Sequence, residues 1–380
     1  MSDPLTGTDG IHALGWDPAW AEVFVPHAAE GRRPARVVAV HRETAIVREG
    51  SVVADRPAVV SGRFRFDAVF DADFPAVGDW VALEPDDATA DAEDAAVIAA
   101  VLPRRTAFRR TASDATRRTA GTMAGEQIIA ANVGVAFLVA GLDADFNLRR
   151  LERYLAVAWA SDVMPVIVLN KADIADDLDG RLGAVGSIAP DVPVVVLSAL
   201  TGDHVEDLRP HLGAGTTAVV LGSSGVGKST LVNTLLGEAR QSTGAVRAHD
   251  SRGRHTTTHR ELFALPTGAL LIDTPGIRSL EVAGADDGLD AAFDEIADIA
   301  AMCRFSDCAH QGEPGCMVRA ALDDGRITEA RLASVRKLQR EAAHAERRGD
   351  PRAQAEERKR WKIIHKAVDR HMDRKYGEDR

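Results

Sequence analysis

The stretch Gly222-Ser223-Ser224-Gly225-Val226-Gly227-Lys228-Ser229-Thr230 constrains this chain more than any other. It follows the apolar run Ala218-Val219-Val220-Leu221 and precedes a helical pattern beginning Leu231-Val232, so it reads as a strand, a loop and a helix. In that setting the G-x-x-x-x-G-K-S spacing describes a phosphate-gripping loop. The glycines let backbone N–H groups turn inward around an anion, Lys228 brings a mobile positive charge to the outer phosphates, and Ser229 offers a hydroxyl to a magnesium ion. The bland alternative is a glycine-rich turn that happens to precede Lys-Ser; the strand before it and the helix after it count against that reading.

At 380 residues the chain exceeds one ordinary domain, and two or three are expected. Residues 1–33 show no sustained period, and no element is predicted there. Short alternating stretches at 35–40, 44–47, 52–54, 58–62, 79–83 and 96–101, with turn residues between them, predict a small β-barrel. Leu102-Pro103 ends that unit, and the Thr-rich segment after it reads as a mobile linker. From Gln127 the texture alternates, with apolar strands at 133–139, 165–169 and 192–197, a helix at 148–159, and further strands at 261–265 and 270–272. Continuous apolar strands bounded by helices indicate a mainly parallel sheet covered on both faces. Helices are expected at 289–302 and, with a break at Gly349-Asp350-Pro351, over 328–370.

Three further loops fall at the ends of these strands. Asn170-Lys171-Ala172-Asp173 follows strand 165–169, at the edge where open α/β sheets bind ligands. A carboxylate at Asp173 can accept from the ring N–H and the amino group that guanine presents together, a pair adenine lacks. Asn170 would brace neighbouring loops, and the Lys171 stem would lie against the base. Taken alone, N-K-x-D is a four-letter match that a polar turn could mimic. Ser198-Ala199-Leu200 supplies a second loop whose backbone N–H can meet the guanine carbonyl oxygen, although a plain strand exit explains it equally well. Asp273-Thr274-Pro275-Gly276 would hold magnesium through a water at Asp273 and sense the terminal phosphate at the Gly276 amide. The next residue, Ile277, cannot orient an attacking water. Between these loops lies Gly253-Arg254-His255-Thr256-Thr257-Thr258, in which Thr257, chosen over Thr258, is the candidate second magnesium ligand. His255 either positions water or merely solvates a polar loop.

In a common GTPase the phosphate loop comes first and the guanine-reading loops last. Here Asn170 and Ser198 both precede Gly222, the order of a circularly permuted GTPase. All three cysteines fall in one window, Cys303-x4-Cys308-x-His310-x5-Cys316, whose three thiolates and imidazole form the closed tetrahedral set that structural zinc prefers. Buried structural cysteines are the alternative. The formal net charge is −11, yet residues 327–380 carry 16 Lys/Arg against 10 Asp/Glu. The linker is also basic, with Arg104, Arg105, Arg109, Arg110, Arg117 and Arg118 opposed by Asp114. Either patch suits a polyanion, and solvated helix faces or interdomain pairs give the same statistics. No segment approaches the length of a membrane span, and the N-terminus lacks the form of a secretion signal, so a cytoplasmic location is expected.

The permuted motif order, the barrel before it and the Cys3His window after it resemble the ribosome small-subunit-dependent GTPase A (RsgA/YjeQ) family of bacterial ribosome biogenesis factors. The resemblance covers nearly the whole chain beyond about residue 34, including residues 253–258 and Ile129-Ala130-Ala131-Asn132-Val133. It implies a multi-domain α/β chain: an N-terminal extension (1–33), an OB-type β-barrel (34–103), a basic linker (104–126), a circularly permuted P-loop GTPase domain with mainly parallel sheet (127–282) and a C-terminal helical zinc-binding domain (283–380). It also implies a monomer that binds the 30S ribosomal subunit and its 16S rRNA during late maturation, away from any membrane. GTP hydrolysis to GDP and phosphate would be ribosome-stimulated, with Mg2+ beside GTP, one structural Zn2+, and Lys228, Thr257 and His255 as catalytic residues, His255 positioning water. A nucleotide-dependent RNA-binding adaptor with little turnover is the other reading. The chain departs from the family pattern in its N-terminal extension and at Gly134, where an acidic residue is more usual.

Overall fold

Strands β1 (Arg33–His41), β2 (Thr44–Arg48), β3 (Arg56–Val60), β4 (Trp80–Leu83) and β5 (Ala96–Val101) close into a five-stranded barrel in the order β1-β2-β3-β5-β4, with β4 pairing back onto β1. The computed structural model describes residues 9–41, 44–50, 55–86, 95–111, 126–237, 260–273, 293–305 and 307–349, and the expected strand at 52–54 lies outside them. Alternation explains the closure: Val37, Val47, Val81 and Ile98 point into one buried interior.

The N-terminal segment, where no element is predicted, forms α1 (Asp9–His12) and α2 (Pro18–Ala29), and the short helix α3 (Gly62–Asp67) follows β3. Asp17 caps α2, its side chain accepting from the Trp20 amide at 2.9 Å, and Pro18 occupies the first turn, where a missing N–H costs nothing. Trp16, Trp20 and Phe24 recur every four residues and bury one stripe against Trp80 of β4, with Trp16 and Trp80 ring centroids 4.7 Å apart. Each buried aromatic contributes about 2–3 kcal/mol.

The predicted mobile linker needs correction. Residues Ala107–Thr111 form β6, antiparallel to β7 (Glu126–Ala131), with Phe108 buried. Two of the segment's basic residues are spent internally. Arg104 makes a two-pronged pair with the buried Asp79 at 2.7 and 2.8 Å, and Arg105 grips Asp17 at 2.5 and 2.7 Å while stacking 4.1 Å from Trp20. Burial raises the Asp79 carboxyl, while Arg104 and the Ala76 amide oppose the shift. Arg117 and Arg118 lie outside the described residues.

The second unit contains β8 (Val135–Gly141), α4 (Leu148–Ala160), β9 (Met164–Asn170), α5 (Leu178–Ile188), β10 (Val194–Val196), β11 (Thr217–Gly222), α6 (Lys228–Leu236), β12 (Glu261–Ala264) and β13 (Leu270–Asp273). Strands run β10-β9-β8-β11-β13 in parallel, and β12 joins antiparallel to β13. Successive residues of β8 feed opposite cores. Leu138 packs under α4 with Leu155, whereas Phe137 and Val139 pack with Leu231 and Val232 of α6, which is why the strand is apolar throughout. The sheet continues into the barrel, since Ala39 of β1 pairs with Glu261 of β12, which in turn pairs with Asp273 of β13.

Arg36 of β1 locks this junction. Only 2% exposed, its guanidinium donates to the carbonyls of Leu14, Gly78 (3.2 Å) and Asn132 (3.3 Å) and to Thr217 Oγ1 at 2.8 Å. The N-terminal segment, the barrel and strand β11 thus share one cation. Burial pushes its pKa down to about 9, with the Asp79 charge resisting, so it remains charged at neutral pH. Arg36→Met, which keeps apolar volume and removes the donors, is expected to cost about 3 kcal/mol in calorimetric unfolding, because buried acceptors lose their partners.

Three helices complete the described chain: α7 (Asp294–Ala301), α8 (Met317–Asp323) and α9 (Glu329–Gly349). Phe293, Ile296, Val318 and Leu332 join the same core as Leu151 and Leu155 of α4. Arg331 of α9 fastens the layers, donating to Glu152 at 2.6 Å and Glu295 at 2.8 Å while lying 4.3 Å from the Phe293 ring.

Candidate functional site

At the C-terminal edge of the sheet, β11 ends in the buried Gly222 and the loop enters α6 through Gly227. Gly227 has φ +95°, and a Cβ there would collide with the Asn170 amide; one at Gly222 would lie 2.6 Å from the Val139 carbonyl oxygen. Glycine is required at both positions. No side chain caps α6, whose first turn sets its backbone N–H groups at the positive end of the helix. Lys228 Nζ curls back to donate to the carbonyls of Gly222 (2.8 Å) and Ser223 (2.6 Å). Ser224 and Gly225 are exposed on the loop, Val226 is buried beneath it, and Ser229 and Thr230 are half-buried in the first turn of α6.

Asn170, buried at the end of β9, donates through Nδ2 to the Val226 carbonyl at 2.8 Å and accepts from the Ala199 amide through Oδ1 at 2.8 Å. One side chain therefore ties the phosphate loop to both candidate base loops. Lys171 adopts the left-handed conformation (φ 67°), which swings the chain into the 3-10 turn Ala172–Ile174 and leaves Asp173 exposed. Thr234 of α6 braces the neighbouring loop by donating to the Ala199 carbonyl at 3.1 Å.

Two details sharpen the sequence expectation. The Ser198 amide donates to the Asp203 carbonyl and the Ala199 amide to Asn170, while the next residue, Leu200, is 79% exposed. Lys171 Nζ pairs with Asp143 at 2.5 Å, which turns its charge towards a loop that carries no motif.

That loop joins β8 to α4, and sequence reasoning missed it. Asp143 accepts from Lys171, and Asp145 accepts from Arg150 and from the Ser223 hydroxyl, both at 2.8 Å. Burial works to raise Asp143, but the Lys171 ammonium and the Asp145 amide outweigh it and hold the carboxyl below its usual range. Arg150 does the same for Asp145, with Ser223 assisting. The available signal was positional, a D-x-D directly after a strand that ends on the same edge as Asn170.

Asp273 ends β13 on this edge, half-buried. Thr274, Gly276, Arg254, His255 and Thr257 lie outside the described residues. Away from the sheet, the four atoms of Cys303, Cys308, His310 and Cys316 lie within 4.8 Å of one another. His310 Nδ1 is 3.7 Å from Cys303 Sγ and 3.5 Å from Cys316 Sγ, close to the roughly 3.6 Å edge of a tetrahedron with zinc–ligand legs. The Met317 and Arg319 amides donate to Cys303 Sγ and Cys316 Sγ, both at 3.4 Å, and although burial works to raise the Cys303 thiol, backbone donation outweighs it and lowers it. The loop is held by Glu313, which accepts from the Ala309, Gln311 and Gly312 amides. Backbone N–H donation, led by its own amide, pushes its pKa down to about 2.

A sequence profile described as RsgA GTPase matches residues 101–283. The small ribosomal subunit biogenesis GTPase RsgA of Opitutus terrae is 51% identical over 360 residues, covering 93% of this chain and 96% of the relative. The protein of the same name from Streptomyces coelicolor is 44% identical over 356 residues, covering 93% and 92%. Among solved structures, YjeQ from Thermotoga maritima superposes with a TM-score of 0.59 at 27% identity, over 81% of this chain and 97% of that one. YloQ, described as a circularly permuted GTPase, shares the fold with a TM-score of 0.56 at 23% identity, over 82% and 96%. A chain half-identical to a relative across more than nine-tenths of both lengths shares ancestry as well as architecture, and this chain belongs to the RsgA GTPase family.

Proposed function

We propose that this chain is a GTPase of small-ribosomal-subunit biogenesis that hydrolyses GTP to GDP and phosphate at the sheet edge. The observation that carries the reading is Asn170, whose two hydrogen bonds hold the phosphate loop and the Ala199 loop together beside the exposed Asp173. A generic phosphate loop has no need of such a link, whereas a site that reads base and phosphate together does. The names of the RsgA relatives support the biogenesis role.

In this reading Ser229, Asp273 and Thr257 serve Mg2+ beside GTP, and the Lys228 ammonium engages the phosphates. With Ile277 where a water-orienting glutamine would stand, water positioning falls to His255. Completion of the site by the 30S subunit, and hence stimulation by it, follows from that shortage. The Cys3His cluster takes one structural Zn2+, for which four protein ligands leave no open position. The barrel, proposed as OB-type, and the basic C-terminal tail contact 16S rRNA, and the chain acts as a monomer in the cytoplasm, where its partner is assembled.

The test is phosphate release from GTP and from ATP, with and without purified 30S subunits. Release specific to GTP and raised by subunits is the expected result. Equal turnover of ATP would refute guanine selection, and equal rates with and without subunits would refute stimulation.

A further inference from the structure

Lys228 and the segment between β8 and α4 compete for nothing, yet both hold the same residue of the phosphate loop. Ser223 is gripped at its carbonyl by Lys228 Nζ (2.6 Å) and at its hydroxyl by Asp145 Oδ2 (2.8 Å) and Arg150 Nη1 (2.7 Å). Arg150 also donates to Asp145 at 2.8 Å, so the three side chains form a closed triangle in which the hydroxyl both donates and accepts. The Asp145 amide donates to Asp143 Oδ1 at 3.1 Å, and Asp143 Oδ2 accepts from Lys171. A continuous polar path thus runs from the base-reading loop to the first variable position of the phosphate loop. It is separate from the Asn170 bridge, which reaches the loop at Val226 instead. The three residues of the triangle, with Asn147, Leu151, Tyr154 and Val226, line a small cavity.

We propose that Asp145 and Arg150 are positioning residues of the nucleotide site, which hold Ser223 so that the phosphate loop keeps its shape when the Lys228 ammonium engages phosphate. The inference rests on the reading of this edge as a guanine-nucleotide site. Lys228 Nζ bridges the Gly222 and Ser223 carbonyls, and a phosphate that draws on the same ammonium weakens that internal hold. A charged clamp on the adjacent side chain limits the rearrangement that binding would otherwise have to reverse. Asp143 couples the same segment to Lys171, so the clamp is registered on the base side as well.

The test uses the full chain, a fluorescent GDP as probe, and the variants Arg150→Ala, Ser223→Ala and their combination. Each single change is expected to weaken GDP binding about tenfold, as for loss of a charge-assisted hydrogen bond. The double variant should be little worse than either single one, because both remove the same contact. KM for GTP should rise with kcat changed by less than about twofold, since the clamp touches no reacting atom. Ser223→Thr, which keeps the hydroxyl, should restore binding. A purely structural brace would lower the melting temperature and leave GDP affinity at the wild-type value, and that outcome would overturn the proposal. Additive losses would overturn it too. Ser223→Ala removes one loop hydroxyl, so the inference stands or falls on it even if Arg150→Ala fails to fold. Failure of the wild-type chain to bind fluorescent GDP would instead overturn the nucleotide-site reading, and the clamp with it.

Discussion

Asp173→Asn is expected to lower kcat/KM for GTP by on the order of 10³–10⁴ while leaving the fold intact. Asp173 is exposed on a 3-10 turn, so its replacement leaves no buried group stranded in the free protein. The loss arises in the complex. A carboxylate offers one oxygen to the ring N–H and the other to the exocyclic amino group of guanine, whereas the amide of asparagine has a single acceptor oxygen and presents its own donors to the second group. Xanthine carries a carbonyl where guanine carries the amino group, so the same variant should gain activity with XTP. Competition between GTP and XTP in the phosphate-release assay reads both effects. Wild-type kcat/KM for GTP in this variant would remove Asp173 from base recognition.

Metal removal has the second large effect. If the Cys3His cluster holds zinc, the binding free energy is of the order of 10 kcal/mol, much of it expressed as folding. The cluster joins the end of α7 to the start of α8, where Cys316 is the N-cap. Its collapse would not stay local, because Phe293, Val318 and Leu332 share a core with α4, and Arg331 ties α9 to Glu152. Chelation, or Cys316→Ser, is therefore expected to lower the melting temperature by roughly 10 °C or more. Elemental analysis should find one zinc per chain before chelation and none after it. A chain purified without metal whose unfolding ignores chelators would discard the zinc reading.

The parts legible in the sequence share one physical property: their information is local. Short alternating stretches gave the barrel strands because inward and outward positions have period two, and β8, β9 and β11 showed as unbroken apolar runs because both faces are covered. The helix at the N-terminus escaped notice because its apolar stripe is carried by Trp16, Trp20 and Phe24 alone, among alanines and prolines, and its value depends on Trp80, 60 or so residues away, a separation typical of tertiary rather than local contacts. For Arg104 and Arg105 a polyanion contact and an internal pair stayed equally open, because charge in a sequence does not show its partner. Asp79 and Asp17 account for both.

The sequence by itself determined which motifs stand at the proposed nucleotide edge. A phosphate loop is backbone geometry written in contiguous glycines and one lysine, and the guanine-reading and cysteine motifs are equally short, so residue type and spacing suffice to state them. Only the tertiary structure decided what those motifs are connected to. Ser223 meets Asp145 across 78 residues and Arg36 meets Thr217 across 181. Ala39, Glu261 and Asp273 fall on one line of paired strands, so the barrel and the phosphate edge form a single sheet. Such contacts are chosen by which faces bury against each other and by how strands register, and neither leaves a periodic mark on the chain.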